Sequence, residues 1–222
     1  MSFKKDEYVM GDAFDYLPLL RDECVDLVFT SCPDLSQTEF DKSSDGITSY
    51  RDFQEKATKQ FARIVKPKGF VVICQTDRRV NGSILSNHMW YAKCLEAEGM
   101  HLKDYKIVVR NEVGKRDMYY FTFQHMLVYT YEGTITRKGD WLRDIYVDKQ
   151  SKILNQSVWS HDFCDYVISN LTEGGDFVVD PFAGVGPVLY SAERLGRHYW
   201  GAELEEKFYN EEFKQFRTSL PI

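Results

Sequence analysis

Short apolar runs alternate along this chain with longer segments in which apolar positions recur every three or four residues. The runs predict buried strands, and the longer segments predict amphipathic helices. The predicted strands are residues 8–10, 25–30, 70–74, 101–110, 119–131, 177–179 and 198–202. The predicted helices are residues 13–20, 50–65, 86–98, 162–171 and one that begins at Pro187 and stops at Gly196. This alternation is typical of an α/β fold with a doubly wound, mostly parallel sheet, to which residues 101–131 add an antiparallel hairpin at the edge.

Two polar stretches lack this periodicity. Residues 35–49 are predicted to be a loop of about 15 residues, a length that is usually functional or disordered in a compact domain. Residues 133–155 are irregular, with Trp141 and Tyr146 as their only large anchors. Residues 66–69, which read Lys-Pro-Lys-Gly, are expected to terminate the helix before them.

The composition fits one globular enzyme-sized domain spanning residues 1–222, because 222 residues with 43% hydrophobic content can form one sizeable core. The net charge of −6 argues against a strong non-specific nucleic-acid binder, although it allows a local basic cleft. Five cysteines without a C-x-x-C pair predict a reduced, intracellular protein. Neither a signal peptide nor a run of transmembrane length is visible, so we expect no membrane association and a cytoplasmic location, in a bacterial or viral host cell.

The most informative stretch follows the apolar run 177–179. The run ends at Asp180 and leads into Pro181-Phe182-Ala183-Gly184-Val185-Gly186. Glycines allow close backbone approach to a ligand, and the helix start behind them offers free N–H groups and a positive dipole end. Glu203 ends the next strand, 23 residues after Asp180, where a carboxylate suits a ribose diol. The spacing alone is also compatible with an ordinary buried βαβ unit, although the nucleotide-binding interpretation is preferred.

The stretch DPFAGVG…LGRHYWGAELEEKFY resembles the S-adenosylmethionine (SAM) motif of DNA amino-methyltransferases, enzymes that methylate the exocyclic amine of cytosine or adenine. The matching residues are Asp180, Pro181, Phe182, Gly184, Gly186, Arg197, Gly201, Glu203 and Tyr209. Pro187 replaces the threonine of the family motif; proline is sterically welcome at the first helical position, but the hydroxyl contact is lost. The resemblance implies SAM as cofactor, bound by Asp180 to Phe182, by Gly184 and Gly186, and by Glu203.

The order of the elements resembles the circularly permuted beta class of these enzymes. The glycine-turn strand, which opens a conventional SAM methyltransferase fold, lies here near the C-terminus. The resemblance implies a permuted Rossmann-like fold in which Asp12 and Ala13 contact the adenine ring of SAM. Further similarities, at GDA, VDLVFTS-x-P, RIVKPKG, TDRRVNG and FTFQHMLVYTY, extend over most of the chain. Since ligands bind outside the carboxyl ends of parallel strands, Asp12, Ser31, Asp180 and Glu203 are expected to share one crevice.

Ser31-Cys32-Pro33-Asp34 stands where the family has its catalytic tetrapeptide: Asp, Asn or Ser, then Pro-Pro, then an aromatic residue. In that motif the first side chain and the next carbonyl accept hydrogen bonds from the target amine, and the aromatic ring stacks on a flipped base. Ser31, Cys32, Pro33 and Asp34 are therefore the candidate catalytic residues, and the serine form leans toward cytosine. Asp34 replaces the aromatic ring, whose stacking is worth roughly 1–3 kcal/mol per base.

Three interpretations of this departure stay open. Phe40 or Tyr50 supplies the stacking ring, or Asp34 accepts a hydrogen bond from the base, or the site is degenerate. The preferred prediction is a SAM-dependent DNA methyltransferase acting on N4 of cytosine, with DNA as partner and a homodimer or partner subunit left open. The alternatives are methylation of adenine N6, RNA or a free nucleotide, and a non-catalytic SAM- or nucleic-acid-binding subunit.

The middle of the chain supplies the candidate DNA-facing region. Residues 133–155 occupy the place of the target-recognition region of the family, and their shortness predicts short or relaxed specificity, or a partner subunit. The basic residues expected to meet nucleic acid are Arg110, Lys115, Arg116, Arg137, Lys138 and Arg143. Arg78 and Arg79 are compatible either with phosphate contacts or with a structural role. His125 and His161 have no metal-ligand spacing with the cysteines, so no metal is expected.

Overall fold

The computed structural model describes residues 4–110, 121–135, 141, 143–153 and 156–210. Its strands are β1 (Glu7–Met10), β2 (Val25–Thr30), β3 (Val65–Gln75), β4 (Arg78–Val80), β5 (Ser83–Leu85), β6 (His101–Arg110), β7 (Phe123–Thr130), β8 (Ile145–Asp148), β9 (Ser151–Ile153), β10 (Gln156–Val158), β11 (Phe177–Asp180) and β12 (His198–Glu203). Its α-helices are α1 (Ala13–Tyr16), α2 (Ser44–Ile64), α3 (Asn87–Ala97), α4 (His161–Leu171) and α5 (Pro187–Arg194), and 3-10 turns occupy Leu17–Leu19 and Leu35–Gln37.

Eight of these strands form one sheet in the order β1-β12-β11-β2-β3-β7-β6-β8. The strands from β1 to β3 run parallel, whereas β7 is antiparallel to both β3 and β6. This confirms the predicted α/β class, the mostly parallel sheet and the antiparallel pair. From β2 the chain moves outward to β3, and from β11 it moves the other way to β12. The β11–β2 boundary is therefore a topological switch point, where ligands bind in open α/β sheets.

Helices cover both faces of the sheet, which explains why its central strands are continuously apolar. On one face, α2 and α3 pack through Phe61 and Leu95 against Val28 of β2. On the other face, α4 and α5 pack through Phe163 and Leu189 against the neighbouring strand positions, Leu27 and Phe29 among them. Burying one such large side chain is worth about 1.5–3 kcal/mol, so the two cores fix the strand ends that carry the candidate site.

The predicted long loop at residues 35–49 is wrong over its second half. The helix α2 begins at Ser44 rather than at residue 50, and the Ser43 hydroxyl caps it by accepting a hydrogen bond from the Gly46 N–H at 3.1 Å. The first turns of α2 are largely exposed and therefore show no apolar periodicity. The capping signal of Ser43 was the better guide to the start of this helix.

The segment 66–69 follows the end of α2, as predicted, but it also belongs to β3, whose predicted start was residue 70. The helix α2 ends at Ile64 and the strand starts at Val65. A register shift against β2 between Val25 and Leu27 accommodates Pro67, which cannot donate to a regular ladder. Lys66 Nζ pairs with the carboxylate of Asp26 at 2.7 Å and anchors this irregular start.

Residues 133–155 are not wholly irregular. The strand β8 pairs in parallel with β6 at the edge of the sheet, so the predicted antiparallel hairpin lies one strand inside the edge rather than on it. Ile145 and Val147 are exposed, whereas apolar strand residues usually face the core. The hydrophobic pattern therefore did not predict this strand. The turn predicted at residues 111–117 and parts of the candidate recognition region lie outside the described residues.

A small hairpin, β4–β5, was not predicted. Asn81 and Gly82 join its strands with φ values of 51° and 79°, and positive φ at both central residues is the mark of a type I′ turn. The Asn-Gly pair in the sequence is the signal that could have revealed it. This hairpin follows the carboxyl end of β3 and brings Arg78 back toward the β2 loop. Within the described residues, no helix combines the length and the apolar character that crossing a membrane requires.

Candidate active site

One cavity of about 1060 Å³ opens at the switch point of the sheet. Most of the candidate residues line it: Asp12, Ala13, Ser31, Cys32, Pro33, Asp34, Asp180, Pro181, Phe182, Gly184 and Glu203. Gly186 is not among the lining residues; it lies behind them as the N-cap of α5. The expectation that four strand ends share one crevice is therefore met in space, whereas the roles of the individual residues stay predictions.

The turn after β11 forms an open backbone cradle. Gly184 and Gly186 have φ values of 57° and 80°, in the left-handed region that favours glycine. Apart from Gly184 and its two chain neighbours, no heavy atom of the described residues lies within 4 Å of the Cβ position at Gly184, so the turn leaves space for a ligand. The Tyr8 hydroxyl donates a hydrogen bond to the Gly184 carbonyl and ties the turn to β1.

Glu203 reaches back from the end of β12 to this turn. Its Oε2 accepts the Gly184 N–H at 2.9 Å, and its Oε1 accepts the Glu205 N–H at 2.8 Å. Partial burial raises the pKa of this carboxyl above its usual value. Each carboxylate oxygen can accept a second hydrogen bond, so both remain able to receive a hydroxyl from a ligand in the cavity.

Asp180 lies at the switch point itself and is only 2% exposed. Its Oδ1 accepts hydrogen bonds from the Thr30 hydroxyl at 2.7 Å and from the Phe182 N–H at 3.2 Å. Burial raises the pKa of Asp180 to about 7, although these two hydrogen bonds oppose the shift. The carboxyl group is thus poised to ionise near neutral pH, and a cation in the cavity would favour the ionised form.

The side of the cavity beside Asp12 is partly aromatic. Asp12 caps α1 by accepting the Phe14 N–H at 2.9 Å. The Phe14 ring packs edge-on against Phe53 at 5.5 Å and against Phe182 at 6.3 Å between centroids. All four of these side chains line the cavity, which therefore offers an apolar wall close to a carboxylate.

The Ser31–Asp34 loop forms the other half of the cavity. Ser31 is half-buried, and Cys32 is buried among core residues, which raises the pKa of its thiol to about 12 and makes it a poor nucleophile. Asp34 is 4% exposed, and its Oδ2 accepts from Nε of Arg78 at 2.6 Å and also from Nη2. Arg78 therefore has a structural partner, which favours the structural interpretation of this residue over a phosphate contact. Within the described residues, Asp34 Oδ1 has no hydrogen-bond partner.

Tyr50 is not placed to stack on a base. Its ring is fully buried beside Phe53, and its hydroxyl donates to the Pro33 carbonyl at 3.2 Å, so it supports the loop from behind. Phe40 is only partly buried and lines the cavity, so the stacking prediction remains for this residue.

A polar wall also lines the cavity, and Arg110 is its only member that was singled out from the sequence. Arg110 donates from Nη2 to the Thr76 hydroxyl at 2.5 Å, and the Trp159 indole donates to Gln124 Oε1 at 2.9 Å. Gln75 and Gln150 are buried and line the cavity, yet within the described residues their Oε1 atoms lack a partner. A buried polar atom without a partner costs about 1–3 kcal/mol, which makes this wall suited to a polar ligand. Neither a glutamine at the end of a strand, such as Gln75, nor one between two strands, such as Gln150, carries a distinctive sequence signal.

The predicted basic face is described only in part. Arg110 lies in the polar wall, and Arg143 is exposed. Lys115, Arg116, Arg137 and Lys138 lie outside the described residues.

Comparison with known proteins gives this arrangement a family. The N6_N4_Mtase family model, described as DNA methylase, matches residues 25–214. Type II methyltransferase M.BglII of Bacillus subtilis is 23% identical over 89% of this chain and 65% of its own length. Type II methyltransferase M2.DpnII of Streptococcus pneumoniae is 20% identical over 90% of this chain and 85% of its own length. The chain thus spans just under two thirds of the first of these relatives.

Solved structures share the fold. A DNA modification methylase candidate of Thermus thermophilus, complexed with S-adenosyl-L-methionine, superposes with a TM-score of 0.77 at 20% identity, over 97% of this chain and 94% of its own. The PvuII DNA methyltransferase, which is cytosine-N4-specific, superposes with a TM-score of 0.80 at 19% identity, over 99% of this chain and 88% of its own. Because the family model matches most of its length, this chain belongs to the N6_N4_Mtase family of DNA methylases.

Proposed function

We propose that this chain is a SAM-dependent DNA methyltransferase that methylates the N4 amine of cytosine. The observation that carries the proposal is the single cavity in which the glycine turn and Glu203 stand opposite the Ser31–Asp34 loop. A methyl donor held by the first group and a base held by the second would meet at the switch point. Transfer then depends mainly on position and electrostatics.

The cofactor half supplies the contacts that SAM needs. Glu203 accepts the ribose hydroxyls, the open backbone at Gly184 allows close approach, and Asp12 with Phe14 borders the adenine end. Asp180 places a carboxyl group that ionises near neutral pH beside a cationic ligand. Bound SAM supplies a methyl group that its sulfonium charge makes electrophilic.

The base half holds the amine. The Ser31 hydroxyl and the Cys32 carbonyl accept one hydrogen bond each from the target N–H groups, which leaves the nitrogen lone pair directed at the cofactor half. The Asp34–Arg78 ion pair and the Tyr50 hydroxyl keep this loop in place. These contacts position the loop. The family motif has two consecutive prolines here, and in this chain Cys32 replaces one of them.

The polar wall supports cytosine as the target. Beside its amine, cytosine presents the acceptors N3 and O2, which need donors from the protein. The Arg110 guanidinium lines the cavity and can donate, and the side-chain amides of Gln75 and Gln150, which also line it, can donate through Nε2 and accept through Oε1. Adenine has N1 and N7 on either side of its amine and no carbonyl oxygen in the place of O2, and it is larger, so its acceptors would meet these donors less well.

A second candidate function is a non-catalytic SAM-binding subunit. The observation that favours it is the Asp34–Arg78 ion pair, which stands where the family motif has a stacking ring. Under this hypothesis the cofactor half binds SAM, but no base is methylated.

Nucleoside mass spectrometry of DNA from cells expressing the protein tests both functions. We expect N4-methylcytosine with the wild type and with Ser83→Ala, an exposed matched control, and none with Ser31→Ala, while calorimetry finds SAM bound by all three. SAM binding without any methylated base would support the subunit function. N6-methyladenine would contradict the cytosine assignment, and methylation of cytidine nucleotides in preference to oligonucleotides would contradict DNA as the substrate.

A further inference from the structure

A cluster of three potential ligands lies behind the polar wall of the cavity. Asp77 follows β3, His88 lies in the first turn of α3, and His125 lies on β7. One carboxylate oxygen and one ring nitrogen from each histidine lie within 4.8 Å of one another. The fold brings two histidines, 37 positions apart, to one aspartate, so the cluster has no metal-ligand spacing in the sequence.

The separations within the cluster lie on either side of the value for a tetrahedral metal site. Bonds of about 2.0–2.1 Å in tetrahedral geometry place ligand atoms roughly 3.3 Å apart. His88 Nδ1 lies 2.8 Å from Asp77 Oδ1, and His125 Nε2 lies 3.7 Å from Asp77 Oδ2. The two imidazole rings now stack at 3.7 Å between centroids. Coordination requires them to rotate so that both nitrogens point at one position.

The surroundings orient these groups. The Tyr105 hydroxyl lies 2.6 Å from His125 Nδ1, so Nδ1–H can donate to it and leave Nε2 as the ligand atom. The His88 backbone N–H donates to Asp77 Oδ1 at 3.2 Å and fixes the carboxylate. The His88 side chain is 22% exposed, whereas those of Asp77 and His125 are 6% and 10% exposed, so an ion can enter past His88.

We propose that Asp77, His88 and His125 form a binding site for a divalent transition-metal ion such as Zn²⁺, with water completing the coordination. Two imidazoles and one carboxylate are borderline ligands that suit Zn²⁺, Co²⁺ or Fe²⁺ better than Mg²⁺ or Ca²⁺. An ion with two positive charges also compensates the buried carboxylate.

The position of the cluster indicates a structural role. Asp77 lies between Thr76, which lines the cavity, and Arg78, which holds Asp34. An ion would therefore join the end of β3 to α3 and β7 and fix the segment that supports the Ser31–Asp34 loop. The site is separate from the SAM half of the cavity, so its existence does not depend on the proposed methyl transfer.

Titration of the chelator-treated, untagged full chain with Co²⁺ tests the proposal. We expect visible d–d absorption that saturates at one Co²⁺ ion per chain. Added Zn²⁺ should displace the Co²⁺ and abolish this absorption. Zn²⁺ should also raise the midpoint of thermal unfolding. Asp77→Asn preserves size and most hydrogen bonding but should abolish the spectrum. His88→Gln and His125→Gln should each weaken the affinity at least tenfold. Tyr105→Phe should weaken it about tenfold, the usual cost of losing an orienting partner.

His101→Gln removes an exposed histidine outside the cluster and should bind Co²⁺ like the wild type. A wild-type chain without visible absorption would overturn the proposal, as would an unchanged spectrum in a folded Asp77→Asn variant. If Asp77→Asn does not fold by circular dichroism, the decision passes to Tyr105→Phe and the two glutamine variants. Affinities equal to that of His101→Gln would then contradict the assignment.

Discussion

The proposed cofactor half and base half of the cavity differ in whether backbone groups or side chains hold the site in place. The cofactor half uses backbone: the Gly184 turn, the N-terminus of α5 and the carboxylates of Asp180 and Glu203, which are held by main-chain N–H groups. The base half uses side chains that hold one another, such as Arg78 on Asp34 and Tyr50 on the Pro33 carbonyl. Backbone geometry is dictated locally and tolerates few changes. A network of side chains can be rebuilt, and this half departs from the family motif.

The largest expected effect lies in the cofactor half and depends on pH. The folded-state pKa of Asp180 is about 7, well above the value in an unfolded chain, so its contribution to stability is fully present below about pH 4 and is lost as pH rises through 7. A shift of this size corresponds to about 4 kcal/mol. Thermal unfolding between pH 4 and 8 should show this loss in the wild type and a flatter profile in Asp180→Asn.

The same variant sharpens the electrostatic side of the comparison. SAM carries a positive charge, so its affinity for the wild type should rise as Asp180 ionises. The α-amino group of SAM also titrates, near pH 7.7–8.0 for such groups, which makes Asp180→Asn the necessary control. Equal pH dependence in the two proteins, by calorimetry, would show that Asp180 does not face the cofactor.

The second effect should appear in the base half as stability. Arg78→Ala leaves Asp34 buried without its cation, and breaking a buried pair in this way typically costs 3–5 kcal/mol; because Arg78 is partly exposed, we expect about 3 kcal/mol. Denaturant unfolding measures it, with Arg79→Ala on the exposed side of β4 as the matched control. A loss of less than about 1 kcal/mol would mean that the pair contributes little to the loop.

The third effect is a loss of SAM affinity that should follow changes in the cofactor half but not in the base half. Glu203→Gln removes a charged acceptor from the proposed ribose position and should weaken SAM binding by about 30-fold, or about 2 kcal/mol, because hydrogen bonds to charged groups are worth about 1.5–3 kcal/mol. Isothermal calorimetry measures this, with the exposed Glu206→Gln as control. Arg78→Ala, compared under conditions where it is folded, should leave SAM affinity within a factor of three. A comparable loss there would mean that the halves are coupled.

The smallest effect tests which way the base half has diverged. Asp34→Tyr restores the ring of the family motif but removes the partner of Arg78. If the ion pair positions an active loop, we expect methyl transfer to fall by about tenfold, since each 1.36 kcal/mol of lost transition-state stabilisation corresponds to that factor. A gain of activity in a single-turnover assay would instead identify the natural site as degenerate.

The sequence predicted what is encoded locally. Asp180, Gly184 and Glu203 could be located because a strand, a glycine turn and a helix leave a contiguous pattern. The Asp34–Arg78 ion pair joins residues 44 positions apart and leaves no such pattern. The same holds for Gln75 and Gln150, whose meaning comes only from burial beside a cavity.

The secondary-structure prediction was wrong at the start of α2 and at β8 for related reasons. The first turns of α2 are exposed, so periodicity could not reveal them, whereas the capping serine at residue 43 could. In β8, exposed Ile145 and Val147 gave an inverted alternation that only pairing with β6 explains.

The pairing of β1 with β12 has a consequence for biosynthesis. β1 is made first, yet its partner in the sheet follows nearly two hundred residues later, and the Tyr8 hydroxyl reaches the Gly184 carbonyl across a similar interval. While the ribosome is still translating the middle of the chain, β1 has no partner strand. Such distant pairings slow folding. SAM therefore meets a completed pocket only after β12 has emerged, and it should act on the nascent protein as a late ligand that locks the two distant segments together.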